Sequence, residues 1–269
     1  MPGNRVARRT ARTHALDIAY EESGSTDATT VILLHGFPDD VRAWDGVTPS
    51  LVEAGYRVVV PYLRGFGPTH FVGPRTPRVG QQAALGQDVV GLMDALRVRR
   101  AILAGFDWGC RAACVASIVD PDRGRGLLAI GGYDIHDRVS GDVPGPPGEE
   151  RERWYHWYFQ IERGRRALAA DRRGICRYMW QTWSPTWEFD EATFHRTAGS
   201  FDNPDFVDVV IQEYRHAYGT DPGDPCYEAV EERLASAPDI EVPSLVLHGA
   251  DDAVHPVARS IPTMRRFPT

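Results

Sequence analysis

At residues 101 to 111 the chain reads Ala-Ile-Leu-Ala-Gly-Phe-Asp-Trp-Gly-Cys-Arg. An apolar run enters Gly105-x-Asp107-x-Gly109 and passes directly into a helical pattern, the layout of a nucleophile elbow with Asp at its tip. The flanking glycines suit a turn too tight for side chains at those positions. A carboxylate there is already ionised and attacks without help from a base, but the ester it forms must later be cleaved by water. The same pentapeptide also fits an ordinary strand-to-helix turn with Asp107 as an N-cap, and by itself it leaves both readings open.

A second stretch, Val31-Ile-Leu-Leu-His35-Gly36-Phe37-Pro38, is an apolar strand ending in His-Gly-x-Pro. With these two stretches the sequence resembles the α/β-hydrolase superfamily, specifically its Asp-nucleophile branch of epoxide hydrolases and dehalogenases. The resemblance implies that Asp107 is the nucleophile and that the backbone N–H groups of Phe37 and Trp108 form an oxyanion hole. His35 itself reads as a structural imidazole holding the loop, not as the base. Leu63-Arg64-Gly65-Phe66-Gly67 matches the family's Leu-Arg-Gly-x-Gly loop, with Tyr62 standing where the family usually has Asp. Ser244-Leu-Val-Leu-His-Gly249-Ala-Asp-Asp252 fits a strand followed by Gly-x-x-Asp, which implies Asp252 as the acid that orients the base, with Asp251 as the alternative. The family carries its base in a Gly-His segment after one more helix and strand. The sequence ends at Met264-Arg-Arg-Phe-Pro-Thr269, before such a segment, so no base His is identified. His255 lies three residues past Asp252 on the same loop and reads as a surface residue, since reaching the ester from there needs a rearranged loop.

The resemblance extends to the tyrosines that donate hydrogen bonds to an epoxide oxygen. Tyr155-His-Trp-Tyr-Phe-Gln160 matches a Tyr-x-x-x-x-Gln segment, and Tyr214-Arg215 matches a later Tyr-Arg pair. A phenol near its free pKa of about 10 both polarises that oxygen and protonates the departing alkoxide. His156-Trp157 also resembles the His-Trp that holds a departing halide in fluoroacetate-type dehalogenases, which makes Trp157 a candidate substrate contact. Arg111 matches one of two arginines that clamp a substrate carboxylate in that group. Its partner position is Trp108, and Phe37 stands where haloalkane dehalogenases usually carry Asn, so epoxide opening leads. For Arg111 an ion-pair role is the competing reading. Trp154, Trp180, Trp183 and Trp187 suggest an apolar or aromatic substrate as core or pocket lining.

The elements that must position these residues are short apolar runs at 16–22, 31–35, 57–61, 101–105, 127–131 and 244–249, separated by amphipathic stretches such as 80–96 and 108–119. Such alternation predicts an α/β fold with a mostly parallel sheet flanked by helices. Between 133 and 238 no strand is expected. A Gly/Pro-rich linker, SGDVPGPPGEE, leads there into polar-aromatic helical segments, a helical cap inserted between two strands. The expected organisation is a core at 1–132, a cap at 133–238 and the remainder of the core at 239–269, one strand short.

The 269 residues, 42% hydrophobic and 25% charged, suffice for a sizeable core. All 30 basic residues are Arg and the net charge is -7, which argues against nucleic acid or anionic lipid as partners. Cys110, Cys114, Cys176 and Cys226 show no metal-binding spacing and read as buried thiols of a reducing compartment. No leader or membrane-spanning run is evident, and a cytoplasmic protein is expected. No cofactor or metal is implied, because carboxylate, tyrosines and water suffice. The sequence thus predicts an epoxide hydrolase working through an Asp ester. A haloacid or haloalkane dehalogenase is one alternative; a catalytically impaired capped binding protein or a fragment, given the absent base His, is the other.

Overall fold

The computed structural model describes residues 7–136, 144–252 and 254–268. Its strands β1 (Ala7–Arg12), β2 (Leu16–Ser23), β3 (Thr30–Leu34), β4 (Arg57–Pro61), β5 (His70–Phe71), β6 (Ala101–Phe106), β7 (Gly124–Ile130) and β8 (Ser244–Leu247) join in one sheet. The spatial order is β1-β2-β4-β3-β6-β7-β8, with β5 beside β2. From β4 to β8 all pairings are parallel, and β1, β2 and β5 join antiparallel at the other end. The parallel core is fed by α2 (Gln82–Ala95) and α3 (Trp108–Val119), with the short α1 (Thr48–Glu53) between β3 and β4.

Continuous apolar strands follow from burial on both faces. Along β3, Ile32 and Leu34 enter one apolar cluster with α2 and α3, while Val31 and Leu33 enter another with Val41, Trp44, Val58 and Val60. The alternation of side chains along a strand divides a single run between two cores. β1 is an element the apolar pattern did not reveal. Its sequence is ARRTAR, in which Ala11 is buried while Arg8, Arg9, Thr10 and Arg12 are exposed, and the charged residues protect a sheet edge.

Between β7 and β8 run α4 (Pro147–Glu152), α5 (Trp154–Tyr158), α6 (Glu162–Ala170), α7 (Arg172–Trp183), α8 (Glu191–Ala198), α9 (Phe206–Ala217) and α10 (Glu228–Ala235). No strand interrupts them among the described residues. Residues 140–143 of the Gly/Pro-rich stretch lie outside the described residues.

Polar contacts fasten the helical segment to the loops after β3 and β4. The carboxylate of Asp40 accepts from Thr197 Oγ1 at 3.1 Å and Ser200 Oγ at 2.6 Å. Trp180 Nε1 donates to the Pro38 carbonyl at 3.0 Å, and Asn203 Nδ2 donates to the Gly67 and Thr69 carbonyls at 2.8 Å. These bonds occupy groups that the interface would otherwise bury unpaired.

Cys110, Cys114 and Cys176 are buried as expected, but Cys226 is exposed, on the turn Pro225–Tyr227 that leads into α10. No helix among the described residues is long and apolar enough to cross a membrane.

Candidate active site

Asp107 joins β6 to α3 with φ 50 and ψ −127, a conformation rare for a non-glycine residue. Its neighbours enforce it. A Cβ on Gly109 would lie 2.2 Å from the Leu34 carbonyl oxygen, and one on Gly105 would lie 2.3 Å from the Gly109 carbonyl oxygen. Gly36 is constrained from the other side, where a Cβ would meet that of Asp107 at 2.5 Å. The three glycines allow β3 and the start of α3 to close around the carboxylate.

The Phe37 N–H donates to Asp107 Oδ1 at 2.7 Å, and the Trp108 N–H also serves the carboxylate. Burial would push this carboxyl upward. His255, the charge of Arg111 and the Trp108 N–H outweigh that effect and hold it below its ordinary value, so Asp107 is ionised at neutral pH.

His35 supports the loop from beneath. The Leu63 N–H donates to its Nε2 at 3.0 Å, so the proton sits on Nδ1, which donates to the Gly36 carbonyl at 2.9 Å. Burial pushes the imidazole down to about 4, leaving it neutral. With both ring nitrogens committed, His35 serves the architecture of the loop.

A cavity of about 400 Å³ opens over Asp107, within the usual range for small-molecule sites. Trp108, Tyr155, Tyr214, Trp157 and Arg111 line it with Asp107. Tyr155 comes from α5 and Tyr214 from α9, and their rings meet edge to face at 5.5 Å between centroids. Tyr214 also rests against Phe37 and Trp108, at 5.8 and 6.1 Å. Burial pushes both phenols well above their ordinary value, Tyr155 further by the charge of Asp107 and Tyr214 by Tyr155. Both therefore keep the proton that a hydrogen-bond donor needs.

Of the tryptophans in the helical segment, Trp157 alone reaches this cavity among the described residues. Trp183 packs behind Tyr155 at 4.8 Å, and Trp180 and Trp187 form a separate aromatic stack with Phe189. Trp154 packs against Tyr158 and Tyr178. These four residues support the walls and do not line the cavity. Trp157 lies on Tyr218 at 4.8 Å, and His156 Nδ1 is 2.8 Å from the Tyr218 hydroxyl.

Arg111 lines the cavity but is spoken for. Its Nη1 is 2.5 Å from Glu213 Oε1 and its Nη2 3.1 Å from Asp134 Oδ2, with the side chain 5% exposed. The pairing accords with the ion-pair reading of Arg111, whose side chain still borders the cavity. Burial raises Glu213 to about 8 although Arg111 opposes the shift. Neither Asp134 nor Glu213 stands in a motif that would have singled it out.

The loop after β8 brings the largest correction. His255 is not a surface residue remote from the ester. Its Nε2 lies 3.8 Å from Asp107 Oδ2 and its side chain is 21% exposed. Asp252 does not reach it as a ring partner. One carboxylate oxygen, Oδ1, accepts the backbone N–H groups of Val254 at 2.9 Å and His255 at 2.8 Å. Asp251 points elsewhere, with Oδ2 3.4 Å from Thr186 Oγ1. The sequence signal for His255 was its place just past Gly-x-x-Asp, but the turn that brings it back could not be read from spacing. No group of His, Cys, Asp and Glu able to hold a metal ion occurs among the described residues.

Residues 29–269 match the family described as alpha/beta hydrolase fold. A protein from Klebsiella pneumoniae subsp. pneumoniae, provisionally described as an epoxide hydrolase, is 41% identical, with a TM-score of 0.94 over 97% of this chain and 86% of that one. Epoxide hydrolase B of Mycobacterium tuberculosis is 32% identical over 146 residues, which is 50% of this chain and 40% of that protein. Epoxide hydrolase A of the same organism is 33% identical over 153 residues, 57% and 46% respectively. The matches to these two relatives thus span less than half of their length.

Proposed function

Since the chain belongs to the alpha/beta hydrolase fold family and is similar to epoxide hydrolases, we propose that it opens epoxides through an ester on Asp107 and releases vicinal diols. Asp107 attacks one epoxide carbon. The C–O bond breaks, and Tyr155 and Tyr214 donate to the oxygen that becomes the alkoxide. Water then attacks Cγ of the ester, the Phe37 and Trp108 N–H groups hold the resulting oxyanion, and the diol leaves. The observation that carries this reading is an ionised, N–H-bonded carboxylate sharing one cavity with two buried phenols. In this reading residues 133–238 act as a cap over the core segments 1–132 and 239–269. The substrate is a small molecule, and the aromatic wall of Trp108, Tyr155 and Trp157 favours one with an aromatic or apolar substituent. A cytoplasmic enzyme needing no cofactor fits the same reading.

A dehalogenase reading draws support from His156 and Trp157 meeting at Tyr218. It is weakened by the pairing of Arg111 with Glu213 and Asp134, and by Trp108 and Phe37 at the positions named above. Incubation with styrene oxide, with intact-protein mass spectrometry and a diol assay, tests the proposal. Adduct on Asp107 and diol in solution are expected, Asp107→Ala abolishes both, and the Tyr155→Phe/Tyr214→Phe pair slows adduct formation by roughly 10²-fold. Fluoride or chloride release from haloacetates or haloalkanes, without diol from epoxides, overturns it in favour of dehalogenation.

A further inference from the structure

We propose that His255 is the base that activates water to cleave the Asp107 ester, with Asp252 as its positioning residue; the inference rests on the epoxide-opening reading above. The observations begin with the loop. Asp252 Oδ1 gathers the N–H groups of Val254 and His255 and tightens the chain after β8 into a turn. The His255 ring comes back over the strand ends and settles on Gly131 after β7, where a Cβ would be 3.6 Å from the ring. That distance is ordinary van der Waals contact, and it is φ +101 at Gly131 that suits glycine.

From this seat Nε2 flanks the Asp107 carboxyl group at 3.8 Å. It is shielded from solvent, and the neighbour it faces is the Asp107 carboxylate, at a separation too long for a direct hydrogen bond of good geometry. Of the other imidazoles near the site, His35 is held through both nitrogens and His156 Nδ1 by the Tyr218 hydroxyl, while His248, whose buried Nδ1 also has no hydrogen-bond partner among the described residues, does not line the cavity.

The charges around the ring change in the useful direction during the reaction. Burial lowers the imidazole, but Asp107, Asp134 and Asp252 together raise it above its ordinary value, while His156 of α5 faces it from the helical segment. Alkylation removes the charge of Asp107. The ring then gives up its proton more readily, and neutral Nε2 becomes the acceptor the second step requires. As Nε2 takes a proton from water, the hydroxide oxygen bonds to Cγ. The Cγ–O bond to the substrate breaks, and the alkoxide takes the proton from Nε2. The carboxylic acid left on Asp107 returns its proton to the tyrosinate formed in the first step, so that epoxide plus water gives diol.

Rapid-quench mass spectrometry with styrene oxide on the full chain tests this. In His255→Gln, adduct should form at a rate close to that of the unaltered chain and accumulate to one per chain, while diol release falls by about 10²-fold or more. In His255→Ala, added imidazole should restore part of the ester cleavage, which a merely structural role would not permit. Ester cleavage in the unaltered chain should rise with pH as the imidazolium deprotonates, and this dependence should vanish in His255→Gln. The inference is overturned if His255→Gln releases diol at the original rate, if the unaltered chain stalls as adduct, or if both variants lose adduct formation and imidazole rescues neither. If the unaltered chain gives neither adduct nor diol, the epoxide reading fails and this inference with it.

Discussion

The two loops that meet over the cavity are held in different ways. On one side the Asp107 elbow is fixed by sterics, with Gly36, Gly105 and Gly109 each occupying space in which a Cβ would overlap backbone or the carboxylate itself. On the other side the Asp252–His255 loop is held by one carboxylate oxygen and a ring resting on Gly131, and it follows a strand whose Leu245 and Leu247 are 59% and 44% exposed. The elbow admits one geometry; the loop after β8 is held in its geometry by a few hydrogen bonds. A reaction with two chemical steps can use both. The nucleophile must be presented at a fixed angle, whereas the base has only to reach a water beside an ester.

Paired glycine substitutions give the largest expected contrast. Gly109→Ala drives a methyl group to 2.2 Å from the Leu34 carbonyl oxygen and should cost about 3 kcal/mol or more. Gly249→Ala brings a Cβ to 3.3 Å from that of Asp252, which a small loop shift relieves, and should cost less than about 1 kcal/mol. Urea denaturation of both variants checks this. Equal losses would mean that the two sides are held alike.

An acid titration probes the elbow side next. The unfolded His35 takes a proton near its ordinary value of 6.5, and the folded ring does so only at about 4. Its folded pKa is depressed, so the stability present above pH 6.5 is lost as pH falls toward 4, by about 3 kcal/mol for this group. Denaturation midpoints measured from pH 7 to 4 should show this slope, and His35→Gln should flatten it.

The smallest expected effect belongs to the other loop. Asp252→Ala removes the acceptor for two N–H groups and should cost about 1 kcal/mol of global stability. Diol release should suffer more than adduct formation, because the base loses its seat while the elbow is untouched. Equal damage to both steps would show that the two sides are coupled.

The parts legible in the sequence are those specified by neighbouring residues. Glycine spacing around Asp107, the His-Gly-x-Pro after β3 and the apolar runs of the parallel strands each encode their geometry within a few positions. The helix expected at 108–119 matches α3, Trp108–Val119, for that reason. β1 was not legible because it exists by pairing with β2, and its arginines carry no apolar period. The exposed Cys226 and the four tryptophans that support the cavity without lining it were also not legible, since composition does not tell which face of an element meets the cavity.

By itself the sequence determined a strand–elbow–helix with an acidic tip, because steric exclusion there operates between residues a few positions apart. The tertiary structure alone decided which charges face that tip. Arg111 pairs with Asp134 and with Glu213 from α9 while its charge still reaches Asp107, and His255 turns back over Gly131 to the carboxylate. These are contacts between residues far apart in the chain, and electrostatic interactions depend on distance through space, which residue spacing does not encode once the chain has turned.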